Sequence, residues 1–179
     1  MNILAFAGSN SHQSINRKLV QHCLSHLPNV KINFLDLNDY EMPLFSVDRE
    51  KQDGHPPQAH KFREQIEECD GIVVSLAEHN RSYTVAFKNI FDWTSRIDLN
   101  IFRNKPMFLM STSPGGFGGG NVMTAAKSFF PKCGADIIET FSLPSFYQNF
   151  DEALGIKNAE LKTDFETRLQ VFKTRMGIE

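Results

Sequence analysis

The stretch GIVVSLAEHNRSYTVAFKNIFDW, residues 71–93, changes character twice. Gly71 to Ala77 is an apolar run broken only by Ser75, the length of a strand buried on both faces. Thr84 opens a segment reaching Ile97, with Val85, Phe87, Ile90, Phe91, Trp93 and Ile97 at helical spacing and apolar on more than one side. Between the two stand Glu78, His79, Asn80 and Arg81. A buried strand that empties into such a polar burst before a helix begins is one step of an alternating β/α chain. The burst marks the loop at the strand's carboxyl end.

The alternation continues in both directions. Upstream, Ile3–Ala7 reads as strand one, ended by Gly8-Ser9. Ile15 to Leu27 carries apolar residues at 15, 19, 23 and 27, one face of a helix, and Lys31–Leu35 reads as strand two. Asn38 to Pro57 is expected as a long loop, punctuated by Pro43, Asp53-Gly54 and Pro56-Pro57; its length suits a functional or mobile role. A helix over about Gln58 to Cys69 leads into strand three, Gly71–Leu76. Downstream, Pro106–Ser111 is strand four, Gly120 to Phe130 a helix and Asp136–Leu143 strand five. The last helix, Asn158 to Met176, puts Leu161, Phe165, Leu169, Phe172 and Met176 on one stripe, with Gly177 as its stop. Five strands apolar on both faces and separated by helices predict an α/β fold. We expect a flavodoxin-like, doubly wound five-stranded parallel sheet, order 2-1-3-4-5, with helices on both faces and residues 1–179 forming a single domain. Ligands of such sheets sit outside the carboxyl ends of the strands, so chemistry is expected in the loops after strands one, three and four.

Composition narrows the class further. Lys plus Arg is 19 and Asp plus Glu 21, a formal charge of -2, which supplies no electrostatic footprint for nucleic acid or an anionic membrane. No apolar run approaches the roughly 20 residues of a spanning helix, and MNILAFAGSN lacks a basic leader, so neither membrane nor export is expected. Cys23, Cys69 and Cys133 lie far apart, as buried thiols in a reducing cytoplasm would, and form no metal-binding spacing.

Three loops stand out. GSNSHQSIN, Gly8 to Asn16, offers the hydroxyls of Ser9, Ser11 and Ser14 and the amide of Asn16 at a helix N-terminus, a phosphate-binding combination. It matches neither a P-loop nor a dinucleotide fingerprint, so a monophosphate held by hydroxyls is expected; the rival reading is Ser14 as an ordinary helix cap. STSPGGFGGGN, Ser111 to Asn121, holds five of the 11 glycines, which let a backbone approach a flat ligand closely, or serve as a linker. Glu78, His79 and Asn80 offer mixed donors and acceptors at the rim between these loops, where a flat heteroaromatic would fit; His79 taken singly is also an ordinary surface histidine.

Together the loops resemble the NADPH-dependent FMN reductase family, with its quinone, azo-dye and chromate reductase relatives. The resemblance is carried by Gly8-Ser9-Asn10-Ser11-His12-Gln13-Ser14-Ile15-Asn16, by Ala77-Glu78-His79-Asn80 followed by Lys88-Asn89-Ile90-Phe91-Asp92-Trp93, and by Ser113-Pro114-Gly115-Gly116-Phe117-Gly118-Gly119. It implies an FMN phosphate held by Ser9, Ser11, Ser14, Ile15 and Asn16. It also implies an isoalloxazine along Ala77, Glu78, His79 and Asn80, closed on its other side by Ser113 and Gly115. It further implies NADPH or NADH as electron donor, a small-molecule acceptor and a homodimer or homotetramer, with no side chain required as acid, base or nucleophile. Two departures stand against the family pattern. Ser11 replaces an arginine, for which Arg17, Lys18 or His12 could compensate, and Ala77 and His79 replace proline and tyrosine. A flavodoxin-like electron carrier and a binding module without flavin remain as rivals, although carriers are usually strongly acidic. His22 and His26, at i,i+4, are expected on a solvated face rather than at a metal.

Overall fold

The computed structural model describes residues 1–179. β1 (Asn2–Gly8) leads into α1 (Ile15–Ser25) and β2 (Lys31–Leu35). A 3-10 turn at Leu37–Tyr40, α2 (Val47–Asp53) and α3 (Pro57–Glu67) precede β3 (Gly71–Leu76). A short hairpin, β4 (Glu78–His79) and β5 (Ser82–Tyr83), leads into α4 (Val85–Ile97), β6 (Pro106–Thr112) and α5 (Gly120–Phe129). After a second 3-10 turn, Phe130–Cys133, come β7 (Asp136–Leu143), α6 (Phe146–Asn149), a second hairpin of β8 (Phe150–Asp151) and β9 (Gly155–Ile156), and α7 (Ala159–Met176).

The main sheet runs β2-β1-β3-β6-β7 with every pair parallel, which is the expected order 2-1-3-4-5 of its five strands. Alternation along the strands divides the core in two. Leu4, Phe6, Ile72, Val74, Met107 and Leu109 point to the layer of α3, α4 and α5. Ile3, Ala5, Val73, Phe108, Met110 and Phe141 point to α1 and α7.

Several boundaries moved for physical reasons. α1 stops at Ser25, where the N–H groups of His26 and Leu27 turn back to the carbonyls of Cys23 and Leu24. The span expected as loop, 38–57, contains the 3-10 turn and α2, whose VDREKQD sequence buries nothing and therefore shows no apolar stripe. The edge strand β2 is not buried on both faces: Lys31 and Ile32 are exposed, and β7 is only half covered along most of its length. Most of the apolar richness of α4 is core, with Phe87, Ile90, Phe91 and Trp93 buried, while Val85 is 68% exposed.

Candidate cofactor site

Register brings the three unusual loops to one edge. Gly8 pairs with Leu76 and Leu76 with Ser111, so β1, β3 and β6 end level. Two buried side chains lock the strand ends together. The Asn16 amide donates to the Thr112 carbonyl at 3.2 Å and accepts from Ser75 Oγ at 2.7 Å and from the Thr112 N–H at 3.1 Å. Thr84, 2% exposed, caps α4 by accepting from the Phe87 N–H and donates its own hydroxyl to the Gly8 carbonyl at 2.8 Å. Sequence reasoning missed Thr84, and its only local signal is the N-cap position.

In the loop after β1, Ser9, Ser11 and Ser14 each accept one amide hydrogen, from Ser11, Gln13 and Arg17, at 3.2 to 3.3 Å. Each hydroxyl still has its hydrogen to donate. Ser14 is thus an N-cap, as one reading of the sequence had it. Ile15 and Asn16 occupy the first turn of α1, where N–H groups have no intrahelical partner and the helix dipole is positive. The Asn16 side chain, expected at the phosphate, is instead the tie between β3 and β6; what it can offer an anion is its backbone N–H.

The polar burst after β3 is a two-residue hairpin turn. Asn80 and Arg81 take φ of 50° and 64°, the left-handed pair that such a turn demands, here without glycine. Ala77 is buried, and His79 and Asn80 are exposed. The Glu78 carboxylate faces away from solvent chemistry: it accepts from the Val122 N–H at 2.8 Å and from the Asn121 amide at 3.0 Å. It therefore caps α5, whose N-cap residue, Gly119, has no side chain to do so.

The glycine-rich loop divides in two. Gly118 and Gly119 have φ of 60° and 79°, and a Cβ on either would meet the Leu143–Pro144 backbone or Ser111 at 3.0 Å. These two glycines are required by packing against the ends of β7 and β6 respectively. Gly115 and Gly116 face open space, with no atom nearer than about 3.9 Å to an added Cβ, and Ser113 Oγ donates to the Gly115 carbonyl at 3.2 Å.

Neither nearby cation of α1 is free for the first loop. Arg17 pairs with Asp36 at 3.1 Å and lies over Phe34, and Lys18 pairs with Glu152. His22 and His26 are not on a solvated face: His22 packs against Phe150 and Phe165, and its imidazole comes so close to Gly155 that no Cβ fits there. They border a cavity of about 450 Å³ between α1, the β8–β9 hairpin and α7, which shares no residue with the three loops. No group of three or more His, Cys, Asp or Glu side chains could hold a metal. A second groove, about 340 Å³, does adjoin the loops, reaching from Asn10 past His79 and Thr84 to Met42 and Leu44.

The fold and these loops define a doubly wound α/β protein in which the N-terminus of α1 opens beside two loops level with it. Comparison with known proteins narrows this class. The profile of the NADPH-dependent FMN reductase family matches residues 1–148, and the chain belongs to that family. An NAD(P)H:quinone oxidoreductase of Solanum tuberosum is 32% identical over 99% of this chain and 90% of its own length. An NADPH:quinone oxidoreductase of Arabidopsis thaliana is 33% identical over 66% of this chain, a match that spans only 60% of that relative. Among solved structures, the flavoenzyme NAD(P)H:(acceptor) oxidoreductase of Paracoccus denitrificans superposes with a TM-score of 0.77 over 98% of this chain and 97% of its own, at 20% identity, which supports the fold. The family's cofactor is FMN. The free hydroxyl hydrogens of the first loop, the unpartnered N–H groups of Ile15 and Asn16 and the open face of Gly115 and Gly116 fit such a group.

Proposed function

We propose that this chain is an FMN-dependent NAD(P)H oxidoreductase that delivers electrons to a small acceptor of the quinone type. Bound FMN supplies the hydride-transfer chemistry, and the protein binds and orients it. The hydroxyls of Ser9, Ser11 and Ser14 and the N–H groups of Ile15 and Asn16 hold the phosphate. Ala77, His79 and Asn80 border the ring on one side and Ser113 and Gly115 on the other, with Glu78 securing the loop from behind. The observation that carries this reading is the convergence of unengaged donors at the α1 N-terminus with the two loops level with it. The quinone class is supported by the relatives' names, among them a 2-hydroxy-1,4-benzoquinone reductase of Burkholderia that is 28% identical over 96% of this chain.

The protein purified with FMN is expected to show flavin absorption that bleaches on NAD(P)H addition and returns with a quinone. Absence of both flavin binding and NAD(P)H oxidation would overturn the proposal. One observation favours a rival, a binding module that keeps the fold: with Ser11 in the first loop and Arg17 and Lys18 paired elsewhere, no cation of α1 grips the phosphate. A melting temperature that does not rise with added FMN would support that rival.

We also infer a cytoplasmic homodimer or homotetramer. Its support is three buried, unpaired cysteines, whose thiols burial pushes up (Cys69 to about 11), and the exposed Leu44 and Val85 side by side near the first turn of α4. Light scattering of the purified protein tests the assembly.

A further inference from the structure

The Lys88–Trp93 segment of α4 touches none of the flavin contacts proposed above. Lys88 and Asp92 pair with each other across one helical turn. Asn89 and Trp93 reach instead to Met42–Phe45, a segment with no regular structure of its own. The Asn89 amide donates to the carbonyls of Met42 at 3.1 Å and Pro43 at 3.2 Å, and its oxygen accepts from the Phe45 N–H at 2.9 Å. Trp93, 1% exposed, donates its indole N–H to the Pro43 carbonyl at 2.7 Å and meets the Phe45 ring edge to face at 5.0 Å.

This strap has a functional location. Met42 and Leu44 form one wall of the 340 Å³ groove, and His79, Val85 and Ile90 stand on the helix and hairpin side. The strapping helix is itself fixed to the end of β1 by Thr84. The wall is therefore held at a set distance from the first loop by side-chain hydrogen bonds together with the packing of Met42 and Phe45. The groove's lining contains a carboxylate, Glu41, and neither lysine nor arginine, so an anionic group entering it meets a like charge and no lysine or arginine to offset it. About half of its surface is apolar, with Leu37, Tyr40, Met42 and Ile90 contributing, and the rest is uncharged polar apart from Glu41 and His79, which suits a flat uncharged ring with polar substituents.

We propose that Asn89 and Trp93 are positioning residues that fix the width of this groove, and that the groove takes the uncharged ring of the electron acceptor in preference to anionic acceptors. The proposal rests on the reductase reading above. The experiment uses the full-length FMN-loaded protein and compares wild type, Asn89→Ala and Trp93→Phe on benzoquinone, naphthoquinone and a naphthoquinone sulfonate. Wild type is expected to prefer the neutral quinones. Asn89→Ala should raise their KM by about tenfold with kcat and FMN content nearly unchanged, as loss of a binding wall and not of chemistry requires. Trp93 is the chain's one tryptophan, so its emission reports the strap directly and should shift to the red in Asn89→Ala.

A red shift with unchanged KM values would overturn the groove as acceptor site. Unchanged emission would overturn the strap. If Asn89→Ala does not fold, Trp93→Phe decides: raised KM with retained kcat supports the proposal, and an unchanged KM overturns it. Should the wild type oxidise no NAD(P)H, the reductase reading fails on its own. Redox-inert naphthalene then tests the groove, since binding would change Trp93 emission and no change would reject it.

Discussion

In the loop after β1, Ser9, Ser11 and Ser14 each accept one amide hydrogen and keep a hydroxyl hydrogen to give. In the loop after β3, Glu78 has both carboxylate oxygens engaged on α5, and Asn80 and Arg81 serve a tight turn. The two loops are similarly polar in the sequence and stand level at the same sheet edge. The difference teaches that polarity at a strand end marks a junction, and only unengaged groups at that junction mark a ligand. Asn16 shows both behaviours in one residue: its side chain belongs to the scaffold and its N–H to the open helix end.

The comparison can be broken most forcefully at Asn16. Asn16→Leu removes three buried hydrogen bonds and strands the Ser75 hydroxyl and the Thr112 N–H, so urea unfolding should show a loss of about 3 kcal/mol. Glu78→Ala should cost about 1–2 kcal/mol through the lost α5 cap, with FMN affinity little changed. A large loss of FMN affinity without a drop in melting temperature would mean that Glu78 faces the ligand after all. At the open loop, Ser11→Arg should tighten FMN less than tenfold by calorimetry if hydroxyls and the helix end already satisfy the phosphate. A greater gain would mean that the native loop is deficient.

A contrast outside both loops comes from His22, lowered from its ordinary 6.5 to about 4 by burial, then by His26 and Lys162. The unfolded chain binds that proton more readily, so stability should fall as pH drops from 6.5 to about 4. His22→Gln should flatten that slope in denaturant titrations. The smallest effect is expected at Tyr83, whose buried hydroxyl has no partner: Tyr83→Phe should leave the melting temperature unchanged or slightly higher.

The sheet was legible because its strands are written locally. β2, β3 and β7 have the bounds that the sequence predicts for them. α2 was not legible, since its seven residues bury nothing and only Ser46 announces it as a cap. The β4–β5 hairpin was hidden because its turn uses Asn80 and Arg81 where glycine is the usual signal. Within the site, the sequence showed which loops meet but not which groups are left over. The partners of Asn16 lie 59 and 96 residues away and those of Glu78 lie 43 and 44, and no local pattern encodes them.

The place of β1 between β2 and β3 bears on the order in which the sheet can assemble. β1 needs β2 and β3 beside it, and all three are available once residue 76 has been made, so a three-stranded nucleus can form early. The opposite is true of the face carrying Phe108, Met110 and Phe141, whose cover is Phe165, Leu169 and Phe172 of α7. α1 shields part of that face, and the remainder stays wet until the final helix is synthesised, a window in which a nascent chain is prone to aggregate. The family profile ends at residue 148, before α7 begins, so the segment that completes the cover of this face lies outside the part the profile matches.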